Sequence, residues 1–161
     1  MKKRIASLLL ALVMVLSLVP TTVWAAENHD GQVRVVVENT TYAKANGAAW
    51  DGTLVDKWVD LAPGSSMMDC IVSALGTYSQ TGYISEINGL SAGDGGEASG
   101  WMGTLNDWFT NVGFKDIKAG DKLFAGDIIR VMYTTNGYGA DIGGDWNTQS
   151  DTSLSALSFS E

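Results

Sequence analysis

Cysteine and histidine are almost absent from this chain, and each absence excludes a class of protein. Its 161 residues include one cysteine, Cys70, and one histidine, His29. A single cysteine excludes an intrachain disulfide framework. His29 lies in a short polar segment that is expected to fray, so mechanisms of the Ser-His-Asp and Cys-His kinds lack a positioned base, and zinc lacks its commonest ligands. We therefore predict no enzymatic activity, no metal and no cofactor.

Positive charge is also in short supply. The chain carries 10 Lys and Arg residues against 18 Asp and Glu residues, which gives a formal charge of −8. Removal of the N-terminal segment described next leaves seven basic residues and a charge of −11. Such a surface repels phosphate backbones and anionic lipid headgroups, so nucleic acid and membrane surfaces are not expected partners.

The longest apolar run lies at the N-terminus and is typical of a secretory signal peptide. Residues 2–4 are basic, residues 5–19 are almost continuously apolar, and Val23 and Ala25 occupy the −3 and −1 positions of a cleavage site. We predict cleavage after Ala25 and a secreted or extracellular location, with attachment to the cell envelope only through another component. No later run approaches the roughly 18 apolar residues of a membrane span, so no membrane insertion is expected after cleavage.

The first part of the predicted mature chain is typical of a β-hairpin. Residues 32–38 alternate between apolar and polar side chains, with Val33, Val35 and Val37 on one face. Residues 53–61 form a second extended run after a glycine-containing loop. The two runs predict an antiparallel pair.

One helix is expected, and it begins after Ser66. A serine followed three residues later by Asp69 is the pattern of a capping box. The expected apolar stripe consists of Met68, Ile71, Val72 and Leu75. Cys70 falls away from this stripe and is expected to be a small structural residue rather than a reactive thiol.

The remaining segments complete an α+β pattern. Residues 83–90, 101–109 and 128–134 are predicted strands, whereas 91–100 and 137–151 have the composition of loops. One main helix among several strands predicts an α+β fold in which the helix packs on small, mostly antiparallel sheets.

Paired carboxylates keep one enzymatic alternative open. Asp94 with Glu97, or Asp141 with Asp145, would serve a glycosidase if the carboxyl groups faced each other across a cleft. Asp141 and Asp145 also have the spacing of a calcium loop, but Thr152 stands where the loop requires a glutamate. Solvated acidic loops are the favoured interpretation of both pairs.

The aromatic residues give the strongest indication of a binding surface. Five tryptophans follow the predicted cleavage site: Trp50, Trp58, Trp101, Trp108 and Trp146. Rigid rings with one polar atom hold ligands at little entropic cost. We expect Trp58 to lie in the core, and Trp50, Trp108 and Trp146, which lie in or near loops, to contact a ligand.

Several short motifs occur in the order found in the transcobalamin-like C-terminal domain family, which the chain resembles over residues 32–146. They are residues 33–38 (VRVVVE), 52–56 (GTLVD), 61–66 (LAPGSS), 83–90 (YISEINGL), 99–102 (SGWM), Asn106, 126–129 (GDII) and 133–134 (YT). The resemblance implies a β-grasp-like fold and a corrinoid, such as cobalamin, as ligand. It implies ligand contacts from Tyr83, Ile84, Trp101, Met102, Asn106 and Trp108. The carriers that bind cobalamin also use a large helical domain, which has no counterpart in this sequence.

The leading hypothesis is a secreted or cell-surface, non-catalytic binding module that contacts a corrinoid or another flat ligand. The alternative is a structural or adhesive module of a larger bacterial envelope protein, with a cell-envelope component as its partner and no small ligand. Its domains would be a signal peptide at 1–25, the transcobalamin-like domain at 32–146, and a segment at 147–161. That last segment is a tail or the start of a truncated following module, since residues 154–161 resemble the first strand of a β-sandwich.

Overall fold

The computed structural model describes residues 28–110, 112–136 and 139–143. The predicted signal peptide at 1–25, the residues Asp145 and Trp146, and the segment at 147–161 lie outside the described residues. The described chain is α+β, with one α-helix and two small sheets, which confirms the predicted class.

The elements follow one another with short connections. The strands are β1 (Gln32–Asn39), β2 (Gly52–Asp60), β3 (Gln80–Thr81), β4 (Glu86–Ile87), β5 (Leu90–Ser91), β6 (Gly100–Leu105), β7 (Trp108–Phe109) and β8 (Ile128–Thr134), and helix α1 (Met67–Leu75) lies between β2 and β3. Single turns of 3-10 helix occur at Lys44–Asn46 and Ala140–Ile142. None of the helices within the described ranges has both the length and the apolar composition of a membrane span.

The main sheet has five strands in the order β2-β1-β8-β6-β7. Strands β1 and β8 are parallel, and the other neighbours are antiparallel. The short strands β3, β4 and β5 form a separate antiparallel sheet. The β1–β2 hairpin is therefore confirmed, and its alternating valines Val33, Val35 and Val37 are fully buried beneath the helix.

Helix α1 begins with the predicted capping box and buries three of the four residues of the predicted stripe, Met68, Ile71 and Leu75. Met67, Cys70, Ile71 and Ala74 face the sheet, whereas Val72, a member of the predicted stripe, is 42% exposed. Cys70 is only 1% exposed, contrary to its predicted position on the far side. Because successive residues of an α-helix are about 100° apart, Val72 lies about 200° from Cys70 around the helix and points away from the sheet.

The capping box is expected to stabilise the fold measurably. The Ser66 hydroxyl accepts a hydrogen bond from the Asp69 amide (3.1 Å), and the Asp69 carboxylate accepts one from the Ser66 amide (2.8 Å). We expect Ser66→Ala to lower the free energy of unfolding by about 1 kcal/mol. Ser73→Ala, on the exposed surface of the same helix, is the control and should change it by less than about 0.5 kcal/mol. Equal losses in the two variants would contradict this account of the cap.

The same cap gives stability a defined dependence on pH. Hydrogen bonds from the amide and hydroxyl of Ser66 hold the pKa of Asp69 below its usual range. Because the unfolded state binds the proton more tightly, this contribution is present above pH ~4 and is lost as the pH falls through the lowered pKa. Chemical unfolding at pH 6 and at pH 2 should show a smaller acid-induced loss in Ser66→Ala than in the parent.

Two predicted strands were wrong in extent because the backbone turns inside them. Within residues 83–90, Ile84 and Asn88 have φ angles of 54° and 48°, so only the two-residue strands β4 and β5 form there. The predicted strand at 101–109 is a hairpin instead. Asn106 and Asp107 both have positive φ, 51° and 67°, the conformation of a two-residue hairpin turn between β6 and β7.

Candidate functional site

An aromatic cluster on the helix side of the main sheet joins the two sheets. The rings of Trp50 and Trp101 stack at 5.6 Å, and Tyr133 meets Trp101 edge to face at 5.1 Å. The Trp50 indole donates to the carbonyl of Ile87, and the Trp101 indole donates to that of Leu90, each at 3.0 Å. Both tryptophans therefore anchor the small sheet. The prediction that Trp50 contacts a ligand is wrong, because it is 9% exposed within the core.

The glycine-rich segment at 91–100 is a loop, as predicted, and it is tied to the same cluster. The buried hydroxyl of Tyr133 donates to the carbonyl of Ser91 at 2.7 Å and accepts from the amide of Gly95 at 3.1 Å. The Ser99 hydroxyl accepts from the amides of Gly93 and Gly95. These bonds use several polar groups of the loop that a ligand would otherwise meet.

Trp58 lies on the opposite face of the main sheet, not in the core as predicted. It is half-buried and stacks against His29, with ring centroids 3.9 Å apart and planes 10° apart. The His29 Nδ1 atom also lies 3.1 Å from the Gln32 side-chain oxygen. The expectation that His29 frays was therefore wrong, since an aromatic stack and a polar contact hold its ring against β2 and β1.

A cavity of about 550 Å³ opens beside the β6–β7 hairpin. Its walls come from the hairpin and from the irregular segment before β8. The lining residues are Leu105, Asn106, Trp108, Phe109, Thr110, Val112, Ile117 and Lys122. Two of the predicted contacts, Asn106 and Trp108, thus lie together at one concave surface.

The turn that shapes this cavity is fixed by Asn106. Its side-chain oxygen accepts the Ile128 amide proton at 2.8 Å, and its amide donates to Asp127 at 2.9 Å. Both ends of the side chain therefore hold the hairpin turn against the start of β8. Asn106 shapes the cavity rim, and Trp108 offers a half-buried ring to the interior.

The other predicted contacts are distributed over different surfaces. Trp101 packs on the helix side of β6, whereas its neighbour Met102 lies on the opposite side, against the small cluster of Phe109 and Met132 on which Trp108 also packs. Successive residues of a strand point to opposite faces, so both cannot contact one ligand on the same face. Ile84 is buried in the main core.

Tyr83 lies on the surface, 48% exposed, beside the segment that contributes to the cavity wall. Its ring stacks on Phe114 at 5.4 Å, and its hydroxyl accepts the Phe114 amide proton. Lys115 Nζ lies 5.9 Å from the centre of the Tyr83 ring. Phe114 in turn lies over Gly103, so Tyr83 braces the wall from outside.

Two arginines on the face of the main sheet opposite helix α1 form ion pairs. Arg34 donates to both carboxylate oxygens of Asp56, and this hydrogen bonding holds the pKa of Asp56 below its usual range. Arg130 lies 3.3 Å from Glu38 and 3.5 Å from Asp107. These pairs order the face on which Trp58 lies.

One member of each predicted carboxylate pair stabilises a turn. Asp94 accepts the Ser91 amide proton at 2.8 Å, and Asp141 accepts the amide and hydroxyl protons of Thr135. Asp145 lies outside the described residues. Burial raises the pKa of the Cys70 thiol, in keeping with a structural role. Within the described ranges, no group of three or more His, Cys, Asp or Glu side chains is arranged to hold a metal ion.

Comparison with known families gives one match. Residues 64–135 match a family described as a domain of unknown function, DUF4430. The matched span runs from the start of α1 through β8, and it contains the whole cavity lining. Neither the comparison with curated proteins nor that with solved structures gives a match. Nothing in these findings links the chain to the transcobalamin-like family, so that resemblance stays a prediction.

Three of the eight lining residues come from a segment for which the sequence predicted no helix or strand. Val112, Ile117 and Lys122 belong to a segment without helical or strand periodicity, and therefore gave no pattern signal. Composition was the one available signal for these residues. Isolated apolar side chains within an irregular polar segment indicate that the segment packs against another part of the fold.

Proposed function

We propose that this protein is a secreted or cell-surface, non-catalytic binding module that holds a flat, mainly apolar ligand in the cavity beside Trp108. The observation that carries the proposal is the cavity itself, which combines an accessible indole with aliphatic walls and a few polar groups. Its volume of about 550 Å³ is typical of small-molecule sites, which span roughly 300–1,000 Å³.

The structure of the rim supports ligand binding without large rearrangement. The Asn106 hydrogen bonds fix the hairpin turn, and the stack of Tyr83 on Phe114 braces the adjoining segment. A preformed site loses less entropy on binding than a mobile one. Trp108 can therefore meet a planar ligand with little ordering cost.

A corrinoid is the ligand that the family resemblance implies. A corrin ring with its side chains is larger than this cavity, so it would lie across the mouth with one edge against Trp108. The proposed β-grasp-like character of the fold is supported by a helix laid over a mixed sheet whose central strands β1 and β8 are parallel. The hydrophobic N-terminal run supports secretion.

The non-catalytic part of the proposal is supported by where the reactive side chains lie. His29 stacks on Trp58 outside the cavity, and Cys70 is buried beneath α1. Asp94 and Asp141 accept hydrogen bonds within their own turns. Of the lining residues within the described ranges, one has a titratable side chain, Lys122.

Titration with two flat compounds, cyanocobalamin and N-phenyl-1-naphthylamine, tests this function. We expect at least one to bind, with Trp108→Ala weakening binding about tenfold, because ring-on-ring contact is worth on the order of 1.5 kcal/mol. Trp58→Ala, which removes an indole from the opposite face, is the control and should bind as the parent does. Absence of binding by both compounds at high micromolar concentration would reject the proposed function.

A structural or adhesive module remains the second candidate, and one observation favours it. The indole groups of Trp50 and Trp101 are both engaged with backbone carbonyls inside the fold, as a spacer domain requires. That hypothesis predicts that neither the parent nor Trp108→Ala binds a small ligand.

A further inference from the structure

The charge of the cavity differs from the charge of the chain. The molecule is acidic overall, with 18 Asp and Glu residues against 10 Lys and Arg. Among the lining residues that the structure describes, however, the single charged side chain is the cation Lys122, and none of them is acidic. A ligand at this site thus meets positive charge on a protein that otherwise repels anions.

Lys122 is available to a ligand in a way that the arginines are not. Arg34 is held by Asp56, and Arg130 lies against Glu38 and Asp107. Lys122 is exposed and forms no ion pair with any residue that the structure describes. Its ammonium group can therefore approach an anion without first breaking a protein contact.

The remaining lining chemistry restricts where such an anion would lie. Leu105, Val112 and Ile117 make the walls aliphatic, and Trp108 and Phe109 add rings. A charged group buried among these side chains would lose its hydration without compensation. The charge of a ligand must instead lie near Lys122, with the apolar part inside.

We propose that the cavity selects amphipathic monoanions: ligands with a flat apolar body and one carboxylate or sulfonate group placed next to Lys122. This inference rests on the proposed function and names the ligand class of that same site. A neutral molecule of the same shape binds through the apolar walls alone. An exposed ion pair adds a modest increment, so the anion should bind about three- to fivefold more tightly.

A matched pair of probes separates charge from shape. 1-Anilinonaphthalene-8-sulfonate and N-phenyl-1-naphthylamine share one aromatic skeleton, and only the first carries a sulfonate. Fluorescence titrations of the full chain should give tighter binding of the sulfonate. Lys122→Gln should weaken sulfonate binding about threefold and leave the neutral probe unchanged. Lys118→Gln, four residues earlier in the sequence and outside the described lining, is the control and should change neither.

Salt provides a second readout of the same interaction. Raising NaCl towards 1 M shortens the screening length to about 3 Å, so the preference for the sulfonate should shrink in the parent and be absent from Lys122→Gln. Unchanged thermal unfolding midpoints would exclude a folding defect in either lysine variant.

The two proposals fail differently in this experiment. If both probes bind equally and Lys122→Gln alters neither, the inference about the anion is overturned while the cavity remains a binding site. If neither probe nor cyanocobalamin binds, or if Trp108→Ala leaves the binding of every compound that binds unchanged, the proposed function itself is overturned. A sulfonate preference that persists in Lys122→Gln but disappears in Lys118→Gln would also contradict the assignment to Lys122.

Discussion

Replacing Trp101 with alanine is expected to lower the free energy of unfolding by about 3 kcal/mol, the lower end of the loss for a core tryptophan, because the ring packs against the core but is only partly buried. The substitution removes a ring that stacks on Trp50 and meets Tyr133 edge to face. It also leaves the carbonyl of Leu90 without its indole donor, which releases the small sheet from the main one. Urea unfolding followed by circular dichroism measures the change.

Two further variants test why Trp101 matters. Trp101→Phe keeps an aromatic ring but removes the N–H group. Its free energy of unfolding should therefore lie between that of the parent and that of Trp101→Ala. Trp58→Ala removes an equally large, half-buried ring from the other face and should cost less, since Trp58 lies outside the main cluster. A loss of unfolding free energy below about 1 kcal/mol in Trp101→Ala would contradict the anchoring role of Trp101.

Gly103→Ala is expected to be the second severe substitution, with a loss of about 1–3 kcal/mol from overpacking. A Cβ atom at position 103 would overlap the ring of Phe114, which lies directly over the glycine. Displacing that ring also breaks its stack with Tyr83. The effect is steric, so the urea concentration at the unfolding midpoint should fall. The m-value, which is the dependence of the unfolding free energy on urea concentration, should stay unchanged.

A double-mutant cycle isolates this contact. Phe114→Ala removes the ring and should itself destabilise the fold, but it also makes room for a methyl group at 103. The combined variant should therefore lose less than the two single losses together. Strict additivity would contradict the close approach of Phe114 to Gly103.

The fold could be predicted from the sequence where residues close together in the chain form a recognisable pattern. The valines of β1 and the cap of α1 are local signals, and both were read correctly. Val72 shows what periodicity leaves open, because periodicity does not tell which edge of an apolar stripe faces the sheet. Cys70 and Ala74 are buried there, and Val72 is exposed. The positive φ of Ile84 had no signal in the sequence, whereas Asn106 and Asp107 are residue types enriched at positive φ, a turn signal that the predicted strand at 101–109 passed over.

The candidate site was predictable only in part. Asn106 and Trp108 were expected to contact a ligand, and they do line one cavity. Trp101 and Met102 were expected to act with them, yet strand geometry places these neighbours on opposite faces of β6. Whether an indole lies inward or outward depends on strand register, and register is set by pairing between β6 and β8, which lie far apart in sequence.

The most direct test of the central claim follows the indole N–H signals during titration. In a ¹⁵N-labelled sample, addition of 1-anilinonaphthalene-8-sulfonate should shift the indole resonance of Trp108. Those of Trp50 and Trp101, held by the carbonyls of Ile87 and Leu90, should stay in place. Trp58, on the other face, should not move either. Shifts confined to Trp58, or a Trp108 signal that is unchanged at saturating probe, would contradict recognition at this cavity.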